Sequence, residues 1–185
     1  MNKTLSIYFS RQRTYLTVVT NEDNMLSLEY VNATKQPVNP TISADEKSQD
    51  SINELHNIFI TLPQGITQLF LVLPAEDVYV SQFPGRENQP VEEMKQLVEL
   101  EKRISSPYPE YEIHSATAYP MEAKLKGNRM VLSVMVSQEC YENCLDIIHP
   151  LEMPITGIEL SQISTHNAFY NNYPELSNRT IIRLS

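Results

Sequence analysis

Apolar and polar residues alternate through the N-terminal segment. Leu5, Ile7 and Phe9 form one run, Tyr15, Leu16, Val18 and Val19 a second, and Met25, Leu26, Leu28 and Tyr30 a third. Polar breaks at Arg11-Gln12-Arg13 and Asn21 to Asn24 separate them. A period of two with turn-forming breaks predicts three strands in an antiparallel meander. Residues 34–44, with Pro37 and Pro40, read as a loop. From Asp45 the spacing changes to three or four, through Ile52, Leu55, Phe59 and Leu62, which predicts a helix closed by Pro63-Gln64-Gly65. The uninterrupted apolar run from Gln68 to Pro74 reads as a strand buried on both faces.

A second group of elements follows. Val78 to Phe83 predicts a strand that stops at Pro84-Gly85. Pro90 suits the first position of a helix whose apolar stripe is Val91, Met94, Leu97, Val98, Leu100 and Ile104. Glu92 and Glu93 at its start and Lys102 and Arg103 at its end complement the helix dipole, and Pro107-Tyr108-Pro109 stops it. Tyr111 to Tyr119 and Arg129 to Val136 predict a hairpin, and Tyr141, Cys144, Leu145 and Ile148 an amphipathic helix ended by Pro150. Ile155 to Glu159 reads as a short strand, Leu160, Ile163, Asn167 and Tyr170 as one stripe of a helix, and Arg179 to Ser185 as a strand cut at its end. A chain ending inside a strand is expected to be a fragment or one half of a larger protein.

Composition narrows the function classes. With a net charge of −9, the chain lacks the basic surface from which nucleic-acid affinity mostly comes, and attraction to anionic lipid is disfavoured for the same reason. The longest apolar runs fall far below the roughly 18 to 20 residues that cross a bilayer, so no membrane insertion is expected. The N-terminus reads as a strand and not as a secretory signal. Four glycines leave little material for a phosphate-cradling loop. Cys140 and Cys144 lie four apart on one predicted helix and are read as small interior side chains.

The order of elements resembles the first lobe of the actin-like superfamily, and more narrowly the PilM and FtsA branch. There, a small subdomain follows the first meander, helix and strand. The local likeness is in Glu99-Leu100-Glu101-Lys102-Arg103-Ile104-Ser105-Ser106-Pro107-Tyr108-Pro109, where PilM-like proteins have a Glu-rich helix and a Pro-x-Pro-like exit. A second is the strand Met130 to Val136, the helix to Ile148, and the junction Gly157-Ile158-Glu159-Leu160-Ser161. The resemblance implies an α/β fold, an actin-like (ribonuclease H-like) lobe with an inserted small α+β subdomain. It divides the chain into residues 1–75 with 155–185 for the lobe and 76–154 for the insertion.

Members that bind ATP place Asp-x-Gly in the turn between the first two strands, the Asp organising metal and water and the Gly admitting phosphate. Here the turn runs Tyr8-Phe9-Ser10-Arg11-Gln12-Arg13-Thr14 and has neither. Ser10, Arg11 and Arg13 therefore mark a degenerate turn. Arg11 and Arg13 could grip phosphate oxygens, but charged residues are also ordinary at an exposed hairpin tip. Ile182-Arg183-Leu184-Ser185 likewise lacks the Asp and Gly expected of a second phosphate turn.

No other chemistry converges. His56, His114, His149 and His166 fall in four different predicted elements, with no ligand set for a metal. The acidic pairs Asp45-Glu46 and Glu92-Glu93 sit at helix starts, where the dipole accounts for them. The expectation is a chain with no catalytic set, no cofactor and no metal, whose work is done by surface. The resemblance implies a non-catalytic assembly protein like PilM or the cytoplasmic part of GspL, holding a peptide or domain of a membrane-anchored partner in pilus or secretion machinery. It would sit in the cytoplasm, at the inner membrane through that partner. Tyr79, Phe83, Arg86, Met94 and Tyr108 are the candidate contact residues, being of types that interface cores favour. The alternative is an actin-fold ATPase or phosphotransferase using Mg-ATP, with its catalytic residues beyond Ser185.

Overall fold

The computed structural model describes residues 2–23, 25–41, 46–74, 78–86, 90–105, 113–125 and 128–165. The predicted meander is present as β1 (Asn2–Phe9), β2 (Thr14–Glu22) and β3 (Met25–Ala33). β1 pairs antiparallel with β2, and β2 with β3. The helix predicted from Asp45 is α1 (Glu46–Ile60), and the continuous apolar run is β4 (Ile66–Leu73). Gly65 sits at φ 81°, a conformation only glycine adopts without strain, and so lets the chain reverse from the end of α1 into β4.

β4 does not pair with β3. It lies parallel to β1, and β8 (Gly157–Leu160) lies parallel to β4, giving one sheet in the order β3-β2-β1-β4-β8. Both parallel crossovers step across the sheet in the same direction, so crossovers of one hand place their helices on one face. Leu5, Ile7 and Phe9 of β1 and Leu16 and Val18 of β2 pack there with Leu55, Ile58 and Phe59 of α1 and with Cys140, Cys144, Ile147 and Ile148 of α3 (Gln138–Ile148). Each of the larger of these side chains contributes about 1.5–3 kcal/mol on leaving water.

Between β4 and β8 the chain builds a second sheet from β5 (Tyr79–Arg86), β6 (Ile113–Leu125) and β7 (Asn128–Ser137), in the order β5-β7-β6 and antiparallel throughout. α2 (Val91–Ser105) connects β5 to β6. Its predicted stripe is only partly an interior one, since Val98 is buried but Leu100 and Ile104 are exposed. β7 runs directly into α3, where the Ser137 hydroxyl caps the helix by accepting from the Cys140 amide at 3.2 Å. A 3-10 turn, His149–Leu151, ends that helix at Pro150. Residues 161–165 are helical, as the stripe from Leu160 predicts, while Asn167, Tyr170 and the strand expected at 179–185 lie outside the described residues.

Candidate functional site

β1 ends with Phe9 buried and β2 begins with Thr14 buried, so the turn between them starts and finishes in the core and its tip faces solvent. Ser10 shapes that tip. Its amide donates to the Arg13 carbonyl at 3.2 Å, and its hydroxyl donates to the same carbonyl at 2.7 Å. The hydroxyl oxygen also accepts from the Gln12 amide at 3.3 Å and the Arg13 amide at 3.2 Å. The next amide, Thr14, donates to the Thr34 hydroxyl at 3.0 Å. A phosphate-binding turn works by aiming successive backbone N–H groups at an anion. Here the amides of Ser10, Gln12, Arg13 and Thr14 are all committed inside the protein. Arg11 and Arg13 are exposed, as expected of a hairpin tip.

Beside the turn lies a cavity of about 360 Å³, lined by Phe9, Ser10 and Arg11 and by the loop residues Pro37 to Thr41. That loop is pinned from three sides. Thr34 donates its amide to the Thr14 carbonyl at 2.9 Å, the Val38 amide donates to the Thr14 hydroxyl at 3.0 Å, and Asn143 of α3 donates from Nδ2 to the Pro40 carbonyl at 2.9 Å. Val38 is buried in the core and closes the floor. Thr14 and Thr34, both fully buried, thus satisfy one another and the loop. Pro37 and Pro40 mark the loop in the sequence, but no local pattern points to this threonine pair. The available signal was an apolar Val38 between two prolines in an otherwise polar stretch. Among the described residues its lining has one cation, Arg11, and no carboxylate, imidazole or thiol. It can enclose a small apolar or anionic group, and the described lining residues offer hydroxyls, an amide and a guanidinium in place of a general base or strong metal ligand.

His56 and the two cysteines serve packing. His56 of α1 donates from Nε2 to the Ile147 carbonyl at 2.9 Å and lies 5.7 Å from the Phe59 ring, tying α1 to the end of α3. His149 is exposed in the 3-10 turn, His114 lies on β6, and His166 lies outside the described residues. Cys140 and Cys144 are both free and buried. The hydrogen bond with Cys140, and then burial, push the Cys144 thiol far above its ordinary value, so it holds its proton. Among the described residues no cluster of three His, Cys, Asp or Glu could hold a metal ion, and no helix is long and apolar enough to cross a membrane.

The five candidate contact residues spread over two elements and a segment outside the described residues. Tyr79, Phe83 and Arg86 are on β5, opposite Met135, Val131 and Asn128 of β7. Tyr79 is half-buried. Met94 is on α2, and Tyr108 lies outside the described residues. β5 brings three of the five into one strand.

No protein-family model matches the chain, and no curated protein matches it. Solved structures do. The chain is similar to the protein in a structure of the PilM-PilN type IV pilus biogenesis complex, at 13% identity and a TM-score of 0.71, over 95% of this chain and 52% of that one. It is also similar to the cytoplasmic domain of EpsL, an inner membrane component of the type II secretion system of Vibrio cholerae, at 11% identity and a TM-score of 0.52, over 85% of this chain and 57% of that one. The chain therefore spans about half the length of these two structures. Identity this low, together with the strand order β3-β2-β1-β4-β8, speaks for the fold alone. The chain has the actin-like α/β fold shared with PilM and the EpsL cytoplasmic domain.

Proposed function

We propose that this chain is a non-catalytic assembly module, acting through protein contacts in pilus or secretion machinery. The observation that carries the reading is the Ser10 hydroxyl, which takes the Gln12 and Arg13 amides that a phosphate turn would present to nucleotide. The absence of Asp and Gly from Ser10 to Arg13 supports the same reading, because Mg-ATP needs a carboxylate near the metal and a close backbone approach to phosphate. The partner half of the proposal rests on a likeness of fold to a protein found in complex with PilN. By that likeness the partner is a peptide or domain of a membrane-anchored protein, and the chain works in the cytoplasm at the inner membrane. Residues 76–154 act as an inserted α+β subdomain beside the lobe. Tyr79, Phe83, Arg86, Met94 and Tyr108 are the proposed contacts.

The test is fluorescence anisotropy with a labelled cytoplasmic segment of the PilN-type protein from the same genome. Saturable binding, weakened tenfold or more by Tyr79→Ala, is expected. Failure to bind at any concentration reached contradicts the partner half and leaves the turn geometry untouched.

A further inference from the structure

Charge is segregated along this chain. The net charge is −9, yet no Asp or Glu occurs from Met1 to Asn21 or from Tyr30 to Ala44. The β2–β3 ladder joins these two segments at one end of the sheet, where Tyr15 is opposite Ala33 and the Thr14 amide donates to the Thr34 hydroxyl at 3.0 Å. The turn and the loop at that end carry only cations. Arg11 and Arg13 on the turn and Lys35 on the loop are exposed, and none forms an ion pair among the described residues. Glu54 of α1 reaches the loop, but its Oε2 accepts from the Lys35 amide at 2.9 Å. The cavity of about 360 Å³ lies between turn and loop, with Arg11 in its lining. Phe9, Pro37, Val38 and Pro40 give it an apolar wall beside that guanidinium.

We propose that this cavity and its cationic rim hold an acidic peptide segment of a protein partner, with an apolar side chain in the cavity and a flanking carboxylate on Arg11. The inference deepens the proposed assembly role and rests on the Ser10 turn being closed to nucleotide. Complementarity selects the occupant. A carboxylate pairs with a guanidinium through two parallel hydrogen bonds, and Arg11 offers one at the cavity. A free anion gains little beyond that contact. The Ser10, Gln12, Arg13 and Thr14 amides are committed inside the protein, and the apolar wall gives an anion nothing. A peptide uses both features, since its apolar side chain also leaves water against Phe9, Pro37 and Pro40. The volume lies at the small end of the roughly 300–1,000 Å³ found for ligand pockets, a size that suits an anchor side chain. Nucleic acid and anionic bilayers are extended polyanions that run past this patch onto the acidic remainder of the chain. The charges of a short segment act only within about 8 Å at physiological salt, so they meet the local cations alone.

Selection of a random dodecapeptide phage library on the purified protein tests it. The enriched peptides are expected to carry an apolar residue beside Asp or Glu. In fluorescence anisotropy they are expected to bind Arg11→Glu tenfold or more weakly than the wild type. Thr41→Phe, which fills part of the cavity without altering charge, is expected to weaken them as well. Arg103→Glu, the same charge reversal at an exposed residue of α2, is expected to leave binding unchanged. Failure to enrich any peptide, enrichment of peptides without an acid, or binding indifferent to Arg11→Glu or Thr41→Phe overturns the proposal. Each of those results leaves the assembly role to the separate test with the PilN-type segment and Tyr79→Ala. Displacement of a bound peptide by Mg-ATP contradicts the closed turn and overturns this proposal with it.

Discussion

The two faces of the five-stranded sheet are made by the same strands and meet opposite fates. On one face Leu5, Ile7, Phe9, Leu16 and Val18 are buried beneath α1 and α3. On the other, Tyr8 stacks on Tyr15 with ring centroids 6.1 Å apart, Val19 is half-buried, and Leu26, Leu28 and Val31 stand in water. Alternation along a strand sets which residues share a face, but the crossovers decide which face is covered. Those crossovers are long-range facts.

This contrast can be strained in measurable ways. Leu71, fully buried on β4, truncated as Leu71→Ala is expected to cost about 2–5 kcal/mol in urea denaturation, whereas Val31→Ala on the open face stays within about 0.5 kcal/mol. Comparable losses at both positions would mean that the outer face is covered in solution. Next in size is the threonine lock beneath the loop. Thr14→Val keeps the shape but removes the acceptor of the buried Val38 amide, and a stability loss of about 1–3 kcal/mol is expected. A neutral result would show that the loop holds without it. Smallest is an effect of pH. Hydrogen bonds, first from Lys3 and then from Thr20, hold the Glu29 carboxyl below its ordinary 4.5. A carboxylate with a lowered folded pKa stabilises the fold above its unfolded pKa and loses that contribution as pH falls through the folded value. Acidification below about 4.5 should therefore weaken the fold slightly more in the wild type than in Lys3→Met. Parallel stability curves would assign the ion pair no weight, the common result for an exposed pair.

Much of this architecture was legible in the sequence because local signals carried it. The meander, α1 with Leu55 and Phe59 inward, the buried β4 and the helix bearing Cys140 and Cys144 all follow from spacing. Boundaries moved where long-range pairing extends a strand, as in β6, which runs on to Leu125 beside β7. Leu100 and Ile104 fit a helical stripe yet are exposed, since periodicity says which residues share a face and not whether anything covers it. The Ser10 turn was legible in part. Missing Asp and Gly could be read directly, while the hydroxyl closing on the Gln12 and Arg13 amides required the backbone path. The pairing of Thr14 with Thr34 was hidden for the same reason, because twenty residues separate partners that the β2–β3 ladder brings together.

We propose that the turn between β1 and β2 is closed to phosphate by the Ser10 hydroxyl. Isothermal calorimetry of the purified protein titrated with Mg-ATP tests it most directly. The account predicts only the heat of dilution up to millimolar nucleotide. A saturable isotherm, accompanied by a rise in melting temperature, would contradict it and place nucleotide chemistry back in this fold.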